Sequence, residues 1–238
     1  MKAEGNSCVL QFRYGQTNLG YLINDGYRAI AVDGGDAGGI LKTLKELNLK
    51  LLLVTNTHSH ADHTPGNALL LKNTDAELIP SADLKDGQRL DFLKEPVTVL
   101  KTPGHTADSV CFHMNGSILT GDTLFGGKVG RCFTGDTAAL YRSVGRIMEL
   151  PPGTLMYAGH DYVEEYLDFA ASVEPDNPAV EEYLKRYDPK LVRSTLEEER
   201  KVDPFLRLDR PAVIDYLKRK GLPAETEFQR FESLLRIM

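Results

Sequence analysis

Short apolar runs, separated by polar or glycine-containing turns, dominate the first two thirds of the chain. Runs of this length that are rich in Val, Ile and Leu are typical of buried β-strands. The sequence predicts strands over residues 9–12, 21–23, 29–32, 51–54, 97–100, 117–119 and 155–157. Between the third and fourth runs, helical spacing links four apolar residues: Ile40, Leu41, Leu44 and Leu47. Strands that alternate with helices in this way indicate an α/β or α+β fold.

The pattern changes beyond Val163, where segments of helical periodicity follow one another. Helices are predicted over 164–173, from Pro178 with Asn177 as its cap, from the capping-box string 194–197, and over 212–220 and 226–237. We therefore predict two domains, residues 1–163 with mixed strands and helices and residues 164–238 with helices alone.

Four potential metal ligands fall within six residues directly after the apolar run 51–54: His58, His60, Asp62 and His63. On an extended backbone, His58 and His60 point to the same side because they are two residues apart. Asp62 and His63 are adjacent and diverge unless the chain turns. Thr64-Pro65 is predicted to open a helix, with proline in its favoured first position. One half of the motif can therefore face one metal ion and the other half a second. A loop that is rich in histidine by chance is the weaker alternative.

Three further candidate ligands follow the ends of later predicted strands, each beside a glycine: His105, Asp122 and His160. Glycine allows the backbone to turn sharply and to approach a site closely. One such residue alone is usually a capping or surface residue, but the repeated placement favours a shared site. His113 differs because it lies within a strand-like run, and we interpret it as an ordinary strand residue.

Composition restricts the class of protein. The chain has 238 residues, 42% of them hydrophobic and 26% charged, with a net charge of −6. Neither nucleic-acid nor membrane binding is expected, because the sequence lacks a basic patch and a long apolar stretch. Three widely spaced cysteines and a polar N-terminal segment, 1–6, favour a cytoplasmic location.

The order of these ligands resembles the metallo-β-lactamase superfamily, whose motif reads His-x-His-x-Asp-His followed by His, Asp and His. The resemblance implies a four-layer αββα sandwich with two divalent metal ions at one edge of its sheets. It assigns one ion to His58, His60 and His105, the other to Asp62, His63 and His160, and makes Asp122 the bridge. It also implies catalytic roles for Asp122 and Asp62.

Strings in the second domain resemble the glyoxalase II (hydroxyacylglutathione hydrolase) family, which carries a helical domain after the metal-binding core. These strings are residues 159–162, 169–177, 194–199 and 203–207. The resemblance places Arg131, Phe133 and Tyr162 at a glutathione site. Arg131 and Phe133 flank Cys132 in one loop, and Tyr162 follows the last histidine ligand. The chain departs from the family at its C-terminus, where Leu235 and Met238 stand in place of a basic pair that contacts glutathione. Arg236 and Arg230 are the nearby cations that could fill this role.

The expected function is hydrolysis of S-(2-hydroxyacyl)glutathione, such as S-lactoylglutathione, by a hydroxide that the metal ions generate. The substrate partner is then a small glutathione thioester, and the cofactors are zinc ions first, with iron or manganese as alternatives. An iron-dependent persulfide dioxygenase would use His58, His105 and Asp122 as ligands. A hydrolase for a non-glutathione thioester is another alternative, and a non-catalytic protein of this fold is disfavoured because all seven ligands are intact. The oligomeric state stays open.

Overall fold

The computed structural model describes residues 8–237, which contain two large β-sheets and the helices that cover them. The first sheet has five strands in the order in which they follow along the chain: β1 (Cys8–Tyr14), β2 (Asn18–Asn24), β3 (Arg28–Val32), β4 (Lys50–Thr55) and β5 (Glu77–Ile79). The first three strands are antiparallel, and β3, β4 and β5 are parallel.

The second sheet has six strands in the order β13-β12-β9-β8-β7-β6. Their bounds are β6 (Arg89–Leu90), β7 (Val97–Lys101), β8 (Val110–Met114), β9 (Ser117–Gly121), β12 (Leu155–Ala158) and β13 (Ser194–Thr195). A separate hairpin consists of β10 (Leu124–Phe125) and β11 (Lys128–Val129). Because β12 is parallel to β9, and β7 and β9 are both antiparallel to β8, the strands β7, β9 and β12 end at the same edge.

The α-helices among the described residues are α1 (Ala37–Glu46), α2 (Asn67–Asn73), α3 (Thr137–Met148), α4 (Val163–Val173), α5 (Pro178–Arg186), α6 (Leu196–Val202), α7 (Pro211–Arg219) and α8 (Glu227–Leu235). Five of them begin with a side chain that caps the first turn: Asp36, Asp136, Asn177, Thr195 and Thr226. The Asn177 side chain, for example, accepts a hydrogen bond from the backbone N–H of Ala179, with Pro178 in the first position of α5.

Three apolar clusters hold the layers together. One lies between α1, α2 and the first sheet, and includes Ile40, Leu44 and Leu70. A second lies between the sheets, where Ile30 of β3 and Phe112 of β8 belong to the same cluster. The third lies between the second sheet and the helices α3, α7 and α8. This order of helices, sheet, sheet and helices confirms the predicted four-layer sandwich with a C-terminal helical region.

The helical region is continuous with the second sheet in two ways. Strand β13 comes from this region and pairs with β12 of the second sheet. Phe231 of α8 is fully buried, with its ring centroid 5.1 Å from that of Tyr141 on α3 and 5.3 Å from that of Phe205. The division into residues 1–163 and 164–238 stays a prediction.

Two local predictions are wrong. The helix expected from Thr64-Pro65 begins at Asn67, because residues 61–66 form turns instead. Gly66 lies so close to Gly34 that a Cβ atom on residue 66 would stand 1.9 Å from the carbonyl oxygen of Gly34. This turn is what allows the neighbouring side chains of the histidine motif to converge.

The capping box expected to open at Ser194 is shifted by one residue. Thr195 caps α6 and exchanges hydrogen bonds with Glu198, whereas Ser194 is buried in β13. Pairing with β12 keeps this backbone extended up to Thr195, so the helix starts later. Within residues 8–237, every helix falls short of the length and apolar character that crossing a membrane requires. The N-terminal segment 1–6 and Met238 lie outside the described residues.

We expect Phe231→Ala to lower the free energy of unfolding by about 3–5 kcal/mol, the usual cost of removing a buried aromatic ring. Because Phe231 belongs to the cluster that the second sheet shares, chemical denaturation should still show a single transition. Leu47→Ala is the control, since Leu47 is 52% exposed, and should change stability by less than about 0.5 kcal/mol. Separate loss of the helical signal in Phe231→Ala would contradict a shared core.

Candidate metal centre

The structure brings all seven predicted ligands together at one edge of the two sheets. The histidine motif follows β4 of the first sheet, while His105, Asp122 and His160 follow β7, β9 and β12 of the second. These strands end at the same edge, so residues that are far apart in sequence meet there. His113 stays outside the site, where it pairs with Thr98 and Ile118 inside the second sheet.

The first group of ligands consists of His58, His60 and His105. His60 Nδ1 lies 2.9 Å from His58 Nε2 and 3.1 Å from His105 Nε2. His58 and His105 are buried, whereas His60 is half-buried at the mouth of the site. Three imidazole nitrogens that point at one another in this way need a shared proton or a cation between them.

The second group consists of Asp62, His63 and His160. His63 Nε2 and His160 Nε2 are 3.2 Å apart, and Asp62 Oδ2 lies 3.3 Å from His160 Nε2 and 3.6 Å from His63 Nε2. Asp62 and His63 are adjacent in sequence, but the turn after His60 directs both toward the same point. The Asp62 side chain is half exposed, so the site opens at Asp62 and His60.

Asp122 lies between the two groups. Its Oδ2 atom is 3.5 Å from His105 Nε2 in the first group and 3.5 Å from His160 Nε2 in the second. Its Oδ1 atom is buried without a hydrogen-bond partner and lies 3.4 Å from His63 Nε2. A Cβ atom on Gly159 would stand 2.2 Å from Asp122 Oδ1, so only glycine fits beside this carboxylate.

The protonation states suit metal binding. Burial and the neighbouring His63 lower the pKa of His58 to about 4, so its ring is neutral at pH 7. Burial raises the pKa of Asp122, but hydrogen bonds and charges from His160 and His63 outweigh it and hold this pKa well below its usual range. Burial lowers the pKa of His63, but Asp33 and Asp122 outweigh it and raise this pKa to about 11. A divalent cation would compete with that proton.

Asp33, which directly follows β3, orients the histidines from behind. It is fully buried, and its carboxylate accepts hydrogen bonds from Thr57 N at 2.8 Å, Thr57 Oγ1 at 2.7 Å and His63 Nδ1 at 3.0 Å. Because Thr57 Oγ1 donates to Asp33, it accepts from His58 Nδ1 at 3.1 Å. Asp33 therefore directs the Nε2 atoms of His58 and His63 toward the centre of the site.

Two more supporting residues come from the turn between β1 and β2. Thr17 Oγ1 lies 3.1 Å from His160 Nδ1, and the Asn18 amide donates to Asp62 Oδ2 at 2.9 Å. The turn is fixed to the same segment by the backbone, since Leu19 N donates to Gly159 O at 2.8 Å. No pattern in the sequence signals these contacts, because each joins residues that are far apart along the chain.

The donor set fits two metal ions. Tetrahedral ions with ligands at about 2.0–2.1 Å hold those ligands roughly 3.3–3.4 Å apart. The separations within the second group, 3.2–3.6 Å, agree with this value, and those from His60 in the first group, 2.9 and 3.1 Å, are slightly shorter. The residues match a dinuclear centre in number, chemistry and placement, whereas imidazole and carboxylate suit zinc, iron and manganese alike.

The three residues predicted to bind substrate surround the mouth of this centre. The Tyr162 ring stacks on His160, with a centroid distance of 4.9 Å and an interplanar angle of 8°. Phe133 is 62% exposed and meets the rings of His60 and His105 edge-on at 5.4 and 5.1 Å. Arg131 is exposed, and its carbonyl accepts a hydrogen bond from His105 Nδ1 at 2.9 Å. Cys132 lies half-buried between these last two residues.

The four-layer fold and this site define a member of the metallo-β-lactamase superfamily, and the model of that superfamily matches residues 79–160. The family model described as hydroxyacylglutathione hydrolase C-terminus matches residues 161–237. Proteins named hydroxyacylglutathione hydrolase are similar over most of the chain. The one from Dechloromonas aromatica is 37% identical, with 83% of this chain and 80% of the relative covered. The one from Tolumonas auensis is 33% identical, with 92% and 93% covered. The chain belongs to the hydroxyacylglutathione hydrolase family.

Solved structures agree with this fold. ETHE1 from Myxococcus xanthus is 25% identical, with a TM-score of 0.69, 95% of this chain covered and 91% of that one. A metallo-β-lactamase from Staphylococcus aureus is 19% identical, with a TM-score of 0.66 and coverage of 98% and 72%. At 19% identity, the similarity to the Staphylococcus aureus protein shows the fold alone.

We expect Thr17→Val to weaken metal binding at the second group, because valine keeps the shape of threonine but cannot accept a hydrogen bond from His160. Loss of such a supporting contact typically costs ten- to a hundred-fold in metal affinity. Elemental analysis after dialysis against a weak chelator should show metal content falling toward about one ion per chain. Thr17→Ser, which keeps the hydroxyl, and Gln16→Ala, at the exposed tip of the same turn, should retain wild-type content. Equal content in all three variants would remove Thr17 from this role.

Proposed function

We propose that this protein hydrolyses S-(2-hydroxyacyl)glutathione thioesters, such as S-lactoylglutathione, with two divalent metal ions. The observation that carries the proposal is the convergence of seven ligands into two groups that share Asp122, in a chain whose helical region matches the hydroxyacylglutathione hydrolase family. We further propose residues 1–163 as the catalytic domain and 164–238 as the helical substrate-binding domain. A cytoplasmic location stays a prediction.

The proposed ligands of one ion are His58, His60 and His105, and those of the other are Asp62, His63 and His160. When bound, two such ions supply hydroxide at neutral pH and polarise the substrate carbonyl. Asp122 holds negative charge between the groups, and Asp33 keeps the ligand histidines in the required tautomer. The open side at Asp62 and His60 admits the thioester, and we propose catalytic roles for Asp62 and Asp122.

A thioester substrate suits this set of residues. A thiol has a pKa near ~8.5, so the thiolate that leaves needs little or no protonation. Five of the six histidines lie in the site, and the sixth, His113, lies within the second sheet. No histidine is therefore left to protonate a leaving group. An amide substrate would release a strongly basic amine and would require a general acid at the leaving group.

We propose zinc as the metal, with iron and manganese as the alternatives that the same ligands permit. We assign the thiol carrier to the surface formed by Arg131, Phe133 and Tyr162, with Arg131 binding a carboxylate. Leu235 does not supply a polar contact there, since its side chain packs against the apolar cluster of the helical layer.

Arg236 is a second candidate cation for the carrier. Thr137 at the start of α3 bonds Glu232 at 2.8 Å, and Tyr141, one turn later, bonds Glu227 at 2.7 Å. The two helices are therefore antiparallel, and the end of α8 approaches the loop that precedes α3. Arg236 lies one turn beyond Glu232, at the end of α8 that approaches this loop.

The proposal is tested by measuring turnover of S-lactoylglutathione and metal content on the same chelator-free sample. We expect hydrolysis with about two metal ions per chain, and Asp122→Ala should lose turnover together with metal. Persulfide dioxygenase chemistry is the competing outcome, because His58, His105 and Asp122 also lie close enough to hold a single iron. Oxygen consumption with glutathione persulfide, tight binding of one iron and no thioester turnover would overturn the hydrolase.

A further inference from the structure

Lys128 on β11 is a cation enclosed by aromatic rings. Its side chain is 7% exposed, and its ammonium lies 4.5 Å from the ring centroid of Tyr166 and 4.9 Å from that of Phe169. Both rings belong to α4, which packs against the hairpin. Cation–π contacts of this kind stabilise an ammonium, but by less than it costs to take the charge out of water.

Among residues 8–237, no carboxylate forms an ion pair with Lys128. Glu165 and Asp203 act on it only at longer range, and burial, the largest effect, lowers the pKa of the Lys128 amine. Asp203 is fully buried, and its own pKa is raised well above the usual range, which favours the neutral form. Lys128 is therefore a buried cation without an ion-pair partner among the described residues. Buried charges normally have a partner. Asp203 Oδ2 also lacks a hydrogen-bond partner, but Asp203 forms no ion pair with Lys128 within residues 8–237, so this position can accept an anion from outside the chain.

Lys128 stands next to the proposed carrier surface. Arg131 follows Lys128 by three residues along the chain, and its positive charge lowers the pKa of the Lys128 amine. On the other side, ring contacts lead from Tyr166 to Tyr162 at 5.2 Å and from Tyr162 to His160 at 4.9 Å. These contacts connect Lys128 to the ring that stacks on the proposed ligand His160, beside the surface proposed for the carrier.

We propose that Lys128 and Arg131 form a two-cation subsite that binds the two carboxylates of a glutathione-type carrier, with Lys128 determining specificity for a dicarboxylate peptide thiol. This inference rests on the proposed hydrolase function. Lys128 supplies charge from a desolvated position, where a charge-assisted hydrogen bond is strongest. Arg131 supplies charge from an exposed one. The aromatic rings hold the ammonium in place before the carrier arrives.

The first test is Lys128→Met, which keeps the unbranched apolar stem between the rings but removes the charge. Loss of one buried charged hydrogen bond should raise KM for S-lactoylglutathione about tenfold or more, with kcat within about twofold. Lys128→Arg, which keeps the charge, should stay within about threefold of the wild-type KM. Lys220→Met is the matched control, because Lys220 also lies over a ring, that of Tyr216 on α7, and should leave KM unchanged.

The second test varies the substrate and compares wild type with Lys128→Met. Wild-type KM should rise about tenfold when one of the two carboxylates of S-lactoylglutathione is converted to its ethyl ester. In Lys128→Met that same ester should carry no further penalty, whereas the other ester should still do so. The lactoyl thioester of N-acetylcysteamine, which has no carboxylate, should react equally with wild type and Lys128→Met.

Binding of S-methylglutathione, measured by calorimetry, gives a readout that is independent of turnover. Its Kd should weaken about tenfold in Lys128→Met and stay constant in Lys220→Met. Unchanged KM and Kd in Lys128→Met, or equal ester penalties in both proteins, would overturn the subsite while leaving the hydrolase intact. If the wild-type protein hydrolyses only the N-acetylcysteamine thioester, the glutathione carrier and the subsite both fail. If it hydrolyses neither thioester, the hydrolase function fails with them.

Discussion

The buried carboxylate of Asp33 is the interaction on which the arrangement of the site depends. It receives hydrogen bonds from Thr57 and His63, and through the hydroxyl of Thr57 it also fixes His58. A single residue at the end of β3 therefore orients one ligand from each group. The geometry has a cost, because Asp33 adopts a left-handed backbone conformation with φ of 51°, which is unfavourable for a residue with a Cβ atom. Three hydrogen bonds to a buried carboxylate offset that cost.

The sandwich supplies the second requirement, which is to bring loops from both sheets to one point. The first sheet contributes the histidine motif, and the second contributes His105, Asp122 and His160 from strands that run in the same direction. The helical layer then extends the site outward, since Tyr162 stacks on His160 immediately before α4 begins. The seven candidate ligands thus follow strands of the two sheets, and Tyr162 connects them to the helical layer.

The sequence predicted seven of the strands and the seven side chains that meet, because apolar runs, strand ends and metal-ligand residue types are local signals, whereas the four layers were expected from the resemblance to a known superfamily. It misplaced the start of α2, since the turn after His63 is dictated by contact with Gly34 rather than by the Thr64-Pro65 pair. It also missed Asp33, Thr17 and Lys128. Their roles come from neighbours far along the chain: Thr57 and His63, His160, and the rings of α4. Periodicity and caps carry no information about such contacts.

The most direct measurement of the central claim is a crystal structure of protein purified without chelators, with anomalous scattering recorded at the absorption edge of the bound metal. If two ions share Asp122, we expect two anomalous peaks. One lies among His58, His60 and His105, the other among Asp62, His63 and His160, with the Asp122 carboxylate between them and Asp33 still bonded to His63. A single fully occupied peak in active protein, with the Asp62 group lacking metal, would contradict the dinuclear centre.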